Sequence, residues 1–433
     1  MNKHHESTGP SSAQEQITLR GPAELADSLP YLLGFTPTDS IVMIALHGRR
    51  GRFGGRLRLG IPRSPEEWPG VAEELADCLV TGSERRGDKP EGIVVFLCQD
   101  PGPGETAGQV LERLRPLAQR LRTACGSLDV PVHEALCISD GRFWSYCCPD
   151  TRCCPPEGNA LAMPGTSVMA AAAAYAGIQV RGSLRDMEAR LLPRTVGTEQ
   201  QERALDLAAA ALVPRILDGA DGGALVGEET LALARGLMRR IAGAPLQADR
   251  GESGTDGGDD ALIEDSEAAA LVLGLQDRTT RDRAAEWMEG PEAEPALRLW
   301  RAVSRRCVGP YVDHAAAPLT LAGWVAWSTG DEPGARVALG RALRLDPEYH
   351  FAQLLHQACN EGLDPEALRA CLRKERGSRE ADGETVRAES RRRPPQSPAT
   401  RQDGPSGAVR PGVGGPRGRT RRRNGQRGTR SGR

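Results

Sequence analysis

"DSIVMIALHG", residues 39–48, is apolar almost throughout and lacks the polar alternation of a half-wet strand. That pattern predicts a strand buried on both faces, which needs helices above and below it. "GIVVFLCQD" at 92–100 repeats the pattern. Between the two, "GRRGRF" at 48–53 turns the chain into "GGRLRLGIP" at 54–62, whose alternation predicts a strand with one wet face. "SPEEWPGVAEELADCLV" at 64–80 reads as a helix with Ser64 as N-cap, Pro65 at its first position and acids in its first turn. Upstream, "PAELADSLPYLLGF" at 22–35 is an amphipathic helix closed by Gly34. Downstream, "GETAGQVLERLRPLAQRLRTAC" at 104–125 is another helix, and "PVHEALCISDGRFWSYCC" at 131–148 is a hairpin about Asp140-Gly141. The order α-β-β-α-β-α-β-β predicts an α/β domain with a mixed sheet covered by helices, over residues 17–165.

Beyond residue 166 the patterns turn helical. A helical extension covers 166–243, and an all-α region covers 263–376. Between them, at 244–262, lies an acidic, glycine-rich stretch centred on "RGESGTDGGDD" that reads as a linker or long loop. In "PLTLAGWVAWSTGDEPGARVALGRALRLDP" at 318–347, Gly323, Gly330, Ala335, Ala342 and Pro347 have tetratricopeptide-like spacing. Such small residues let two antiparallel helices approach closely. One unit falls short of the three a solenoid needs, so a helical bundle with the same packing is the competing expectation.

The formal net charge of −2 hides an asymmetry. From Arg376 to the end, 16 arginines face 5 acids, a net of +11, which leaves −13 on the rest of the chain. The tail at 377–433 has no aliphatic pattern to bury and is expected to be disordered, as is the polar stretch 1–16. Arg421, Arg422 and Arg423 head its arginine clusters, which could give weak, salt-sensitive contact with nucleic acid. No aromatic residue is interleaved for stacking on bases. The opening residues hold no apolar core of a signal peptide and no stretch is apolar enough to span a bilayer, so no membrane contact and a cytoplasmic location are expected.

The chain resembles an actinobacterial family known only as a domain of unknown function, of the DUF4192 type. The resemblance rests on "LRGPAELADSLPYLLGFTPTDSIVMIAL" (19–46), "GRFWSYCCPDTRCCPPEG" (141–158), "GLQDRTTRDRA" (274–284) and "LAGWVAWSTGDEPGARVALGRALRLDPEYHFAQLL" (321–355), and it spans about 17–376. It implies an actinobacterial source and this domain order, and it brings no catalytic residue with it. In the family pattern an aromatic-Ser-Tyr stretch leads to one cysteine and then to Cys-Cys-Pro. Those positions correspond to Cys148, Cys153, Cys154 and Pro155, with Cys147 an addition.

The run "YCCPDTRCC" at 146–154 concentrates four of the eleven cysteines. Neighbouring side chains of an extended segment point to opposite faces, so one metal ion does not take all four. If Asp140 and Gly141 are the centre of a two-residue turn, Cys148 comes opposite His133, with Cβ atoms about 5 Å apart. "PDTR" reads as a turn that folds Cys153 and Cys154 back. A zinc site of His133, Cys148, Cys153 and Cys154 is then one reading; redox-responsive thiols and plain packing are the others. Arg49, Arg50, Arg52 and Arg56 surround one hairpin, either as a solvated loop or as an anion site. "QDPGPGETAGQ" at 99–109 sits where phosphate loops occur but lacks their lysine, and Glu105 would repel an anion.

Three function classes stand open. The favoured one is a non-catalytic adaptor or ligand-binding protein that uses the α/β domain and contacts a protein partner through the helical region. The others are an enzyme with its site in the α/β cleft and a nucleic-acid accessory protein acting through the tail. Zinc is the one cofactor the residues suggest.

Overall fold

A computed structural model describes residues 19, 21–163, 165–217, 222–244 and 251–392. Strands β1 (Ser40–His47), β2 (Arg52–Gly60), β3 (Gly92–Cys98), β4 (Val132–Ser139), β5 (Arg142–Ser145) and β6 (Asn159–Ala160) form a sheet of order β2-β1-β3-β4-β5-β6. Strand β1 pairs antiparallel with β2 and with β3. Strand β3 then runs parallel to β4, and β5 and β6 complete the sheet antiparallel. The mixed sheet covered by helices is as the sequence predicts, and the two-residue β6 adds a sixth strand to the five expected.

Alternate residues of the central strands serve opposite layers. Ile41, Met43, Ala45, Val95 and Leu97 meet helices α2 (Trp68–Arg86) and α3 (Ala107–Ser127) on one face. Val42, Ile44, Val94 and Phe96 meet α1 (Pro22–Leu33) on the other. That is why the quoted decapeptide shows no alternation. Gly34 closes α1 in the left-handed region (φ 81°), and Thr106 with Gln109 caps α3 reciprocally. Ser64 does not cap as expected. Residues Pro65–Glu67 form a 3₁₀ turn, and α2 starts only at Trp68, whose indole donates to Pro62 O (3.1 Å).

The hairpin turns at Asp140 (φ 49°) and Gly141 (φ 68°), with Ser139 paired to Arg142. Two irregularities matter for the sites. In β2, Gly54 and Gly55 fall within a register shift opposite Ala45, and His47 lies across Gly54. In β4, the ladder steps from Val132 to Glu134, leaving His133 as the extra residue of a bulge.

The remainder is helical. Helices α4 (Val168–Tyr175), α5 (Leu184–Ala189), α6 (Thr198–Leu217) and α7 (Gly222–Gly243) lead to α8 (Gly251–Ala261), α9 (Asp265–Gly274) and α10 (Arg278–Ala284). Then follow α11 (Ala293–Arg305), α12 (Ala316–Ser328), α13 (Glu332–Leu345), α14 (His350–Asn360) and α15 (Glu366–Arg392). The core here is tryptophan-rich: Trp287 stacks on Trp300 at 5.9 Å between ring centroids, and Trp324 donates to Ala285 O (2.8 Å). Helix α12 is buried on every side. It lies so close to α13 that a Cβ on Gly323 would stand 2.6 Å from Leu339 Cγ. The expected close pair is therefore present.

The linker reading of 244–262 is overturned at Gly251–Ala261, which form α8. Its aspartates, three and four positions apart, share a face and meet arginines from distant elements. Asp259 takes a forked contact from Arg298 (3.0 and 3.1 Å to Nε), Asp256 pairs with Arg190, and Asp260 with Arg305 (2.9 Å). Arg306 donates to Asp260 O and Ile263 O and pairs with Asp265 at the start of α9. Buried partners in place of solvent turn a poor helix former into a helix.

The α/β domain and the helical region are joined through the loop after α1. Thr36 bridges Ser183, with backbone bonds from Thr36 to Gly182 (2.9 Å) and from Leu184 to Thr36 (2.9 Å). Phe35 is buried in the helical core, and Gly34 lies against Pro333. The chain divides into the units 1–377 and 378–433. Arg376 pairs with Glu292 (2.7 Å), and α15 runs on to Arg392. Among the described residues no helix is long and apolar enough to cross a membrane.

Candidate functional site

The cysteine run separates into one packed thiol and three converging ones. Tyr146 continues the β5 ladder by donating to Ala135 O (2.8 Å), and the chain then leaves the sheet. Ser145 Oγ accepts from the N–H groups of both Cys147 and Cys148 (3.0 Å each), which fixes that departure. Cys147 packs against the core beneath α2 and α3. Asp150 O then accepts from the N–H groups of Cys153 (3.1 Å) and Cys154 (2.8 Å), so "PDTR" is the expected turn. Asn159 Nδ2 holds Cys153 O (3.0 Å). The Sγ atoms of Cys148, Cys153 and Cys154 end within 4.8 Å of one another. Burial first, then the neighbouring Cys148 and Cys153, push the Cys154 thiol up to about 12.

His133 does not join them. Bulged out of the ladder, it is exposed and its ring lies across Gly92, where an added Cβ would be 2.1 Å from the imidazole. The cross-strand argument fails because the ladder ends before Cys148 and the bulge re-aims His133. Among the described residues no histidine, acid or fourth cysteine completes the group of three.

A second feature was not foreseen. A cleft of about 900 Å³ runs past the outer edge of β2 and is walled opposite by α13 and α14. Arg56 and Arg58 stand on the same face of β2, opposite Ile44 and Val42, so the wet face of the alternating strand is a wall of this cleft. Arg86 reaches in from α2, its guanidinium over Gly55 where a Cβ would be 2.5 Å away. Across the cleft Arg336 pairs with Glu332 (2.8 Å) and Arg344 with Glu188 (3.4 Å). Among the described residues no carboxylate pairs with Arg56, Arg58 or Arg86; Arg58 donates to Ser40 Oγ instead (3.0 Å). The surrounding protein desolvates Arg56 and lowers its pKa, with Arg336 adding repulsion and Glu332 partly opposing both. Desolvation lowers Arg58 likewise. Leu57, Val337 and Leu343 supply apolar lining.

Of the four hairpin arginines, only Arg56 lines the cleft; Arg49, Arg50 and Arg52 are exposed at or beside the turn. Arg58 was missed because it reads as the polar half of an alternating strand, and Arg336 and Arg344 because the sequence does not say that α13 faces β2. Arg421, Arg422 and Arg423 lie outside the described residues. The loop at 99–109 is occupied by its own acid. Glu105 accepts from Gly102 N (3.1 Å) and pairs with Arg113 (2.8 Å), whose hydrogen bond holds its carboxyl below the usual range. Asp39 and Asp100 are spent locally, on Arg185 (3.0 Å) and on Asp140 N (3.1 Å).

No curated protein and no solved structure matches the chain. A family model described as a domain of unknown function, DUF4192, matches residues 22–366, from the start of α1 into the start of α15 and across both sites. The match takes in the α/β domain and the helical region together, and on it the chain belongs to the DUF4192 family.

Proposed function

We propose that the protein is a non-catalytic ligand-binding protein whose cleft takes an organic anion through its phosphate or carboxylate oxygens. One observation carries this reading: Arg56, Arg58 and Arg86 converge on the cleft with no carboxylate paired to them, while Glu332 and Glu188, two of the three glutamates that line it, are engaged by Arg336 and Arg344 opposite. Like charges gathered in a partly desolvated space repel, and an oxyanion relieves that repulsion. Guanidinium groups match phosphate and carboxylate oxygens in forked pairs. The volume suits a nucleotide-sized molecule, and the apolar lining suits its uncharged part. No nucleophile paired with a base is among the residues that line the cleft, so binding is favoured over catalysis.

The test is calorimetric titration of the full chain with ATP, citrate and inorganic pyrophosphate, with adenosine as the uncharged control. At least one of the anions is expected to bind and adenosine to bind far more weakly. Arg56→Gln with Arg58→Gln should weaken binding by roughly 10- to 100-fold, the effect of one or two charge-assisted hydrogen bonds. Equal binding by the double variant, or no binding of any anion at low salt, defeats the proposal.

A further inference from the structure

We infer that Cys148, Cys153 and Cys154 form a three-thiolate site for one soft metal ion of the zinc class, with a fourth position open to solvent. The inference is independent of the cleft. Three observations lead to it.

The first is exposure. Cys98, Cys125, Cys137, Cys307 and Cys359 are buried, as packing thiols are, whereas Cys153 is exposed and Cys148 and Cys154 are half-buried. Plain packing accounts for the five and for Cys147 against the sheet core; it does not account for three thiols gathered at the surface.

The second is convergence. Two adjacent cysteines in a strand would diverge, but Cys153 and Cys154 lie on a turn closed onto Asp150 O, where adjacent side chains can aim at one point. Cys148 reaches the same point from the end of the hairpin. With zinc–sulfur bonds of about 2.3 Å, tetrahedral thiolates stand about 3.8 Å apart. Sulfurs already within 4.8 Å need to move by about 1 Å or less to reach that spacing.

The third is the backbone that holds them. Ser145 Oγ, Asp150 O and Asn159 Nδ2 fix the three segments through their backbone groups, and the contact of Cys148 Sγ with Asp150 O is long (4.0 Å), so the sulfur atoms stay available to a metal ion. The ligand set selects the metal: three thiolates suit zinc or copper(I) and exclude magnesium or calcium. With no fourth protein group among the described residues, the site resembles an open zinc centre more than a closed structural one.

The test uses the full chain, purified without a metal-affinity step, reduced and stripped with a chelator. Cobalt(II) is then titrated in as a zinc substitute. One equivalent should give thiolate-to-cobalt charge-transfer absorption in the near ultraviolet, which zinc displaces. Cys148→Ser, Cys153→Ser and Cys154→Ser should each weaken binding by more than the roughly 10–100-fold that loss of an outer-shell partner costs. Cys147→Ser and His133→Ala should leave it unchanged. Circular dichroism of each variant separates lost ligation from lost folding, and the two unaffected variants show that a neighbouring change is tolerated. Absence of the charge-transfer band in the reduced wild-type protein overturns the inference. So does a band that survives all three serine variants, or one that disappears with His133→Ala.

Discussion

Asp259→Ala puts the acidic helix α8 to its sharpest trial. The Asp259 side chain is 1% exposed and that of Arg298 is 11% exposed. Removing one partner of such a buried pair costs about 3–5 kcal/mol, because the other charge is left in a place water barely reaches. Arg298 keeps a second partner, Glu294 at 3.1 Å, which puts the expected loss near the lower end, about 3 kcal/mol. Urea denaturation followed by tryptophan fluorescence reads the change directly, since Trp287, Trp300, Trp324 and Trp327 all sit in the helical core. With a slope of about 3 kcal/mol/M, the midpoint should fall by about 1 M with the slope itself unchanged. Asp259→Leu combined with Arg298→Met should recover most of the loss, because a buried pair replaced on both sides is close to neutral. A loss under about 0.5 kcal/mol for Asp259→Ala is what a solvated loop would give, and it would refute the docked helix.

Gly323→Ala should cost about 1–3 kcal/mol in the same assay, since its Cβ would stand 2.6 Å from Leu339 Cγ, and it should cost less when introduced into a Leu339→Ala background. In alkali the α/β domain should weaken as pH rises from about 9 toward about 11. Burial lifts the thiols of Cys125 and Cys137 from 9.0 to about 11, so the fold favours their neutral forms. That preference is whole below the unfolded value and is lost as pH rises through the folded one. Stopped-flow alkylation should find these two thiols silent at pH 8 while exposed Cys78 and Cys371 react; equal rates would defeat the burial argument.

The α/β domain was legible because its signals are local. Unbroken apolar runs at 41–46 and 92–98, the Asp140-Gly141 turn and Gly34 each act within a few residues. What escaped depends on partners far along the chain. The glycines and acids of α8 read as solvent-loving until Arg298 and Arg305 face them, and nothing at 251–261 announces those arginines. His133 was misplaced by the same kind of gap. Counting along a ladder assumes a regular ladder, and one bulged residue sends the side chain elsewhere. The cysteine turn was legible in outline, because Asp150 and its neighbours are turn formers acting on their own backbone. The cleft was legible only as the wet half of an alternating strand.

The seam at Gly34, Phe35 and Thr36 sets a timetable for the ribosome. These residues leave the exit tunnel before their partners, Ser183 and Pro333, which come about 150 and 300 residues later. At roughly 5–20 residues per second, the nascent chain waits about 15–60 s before Pro333 arrives. Until then the helical core that Phe35 enters lacks Ala335, Leu339 and the other side chains of α13 and α14. The sheet domain can assemble on its own strands during that interval, but it carries an apolar side chain that only the finished helical region will cover. Rare codons placed before residue 333 would lengthen that exposure, and faster translation would shorten it.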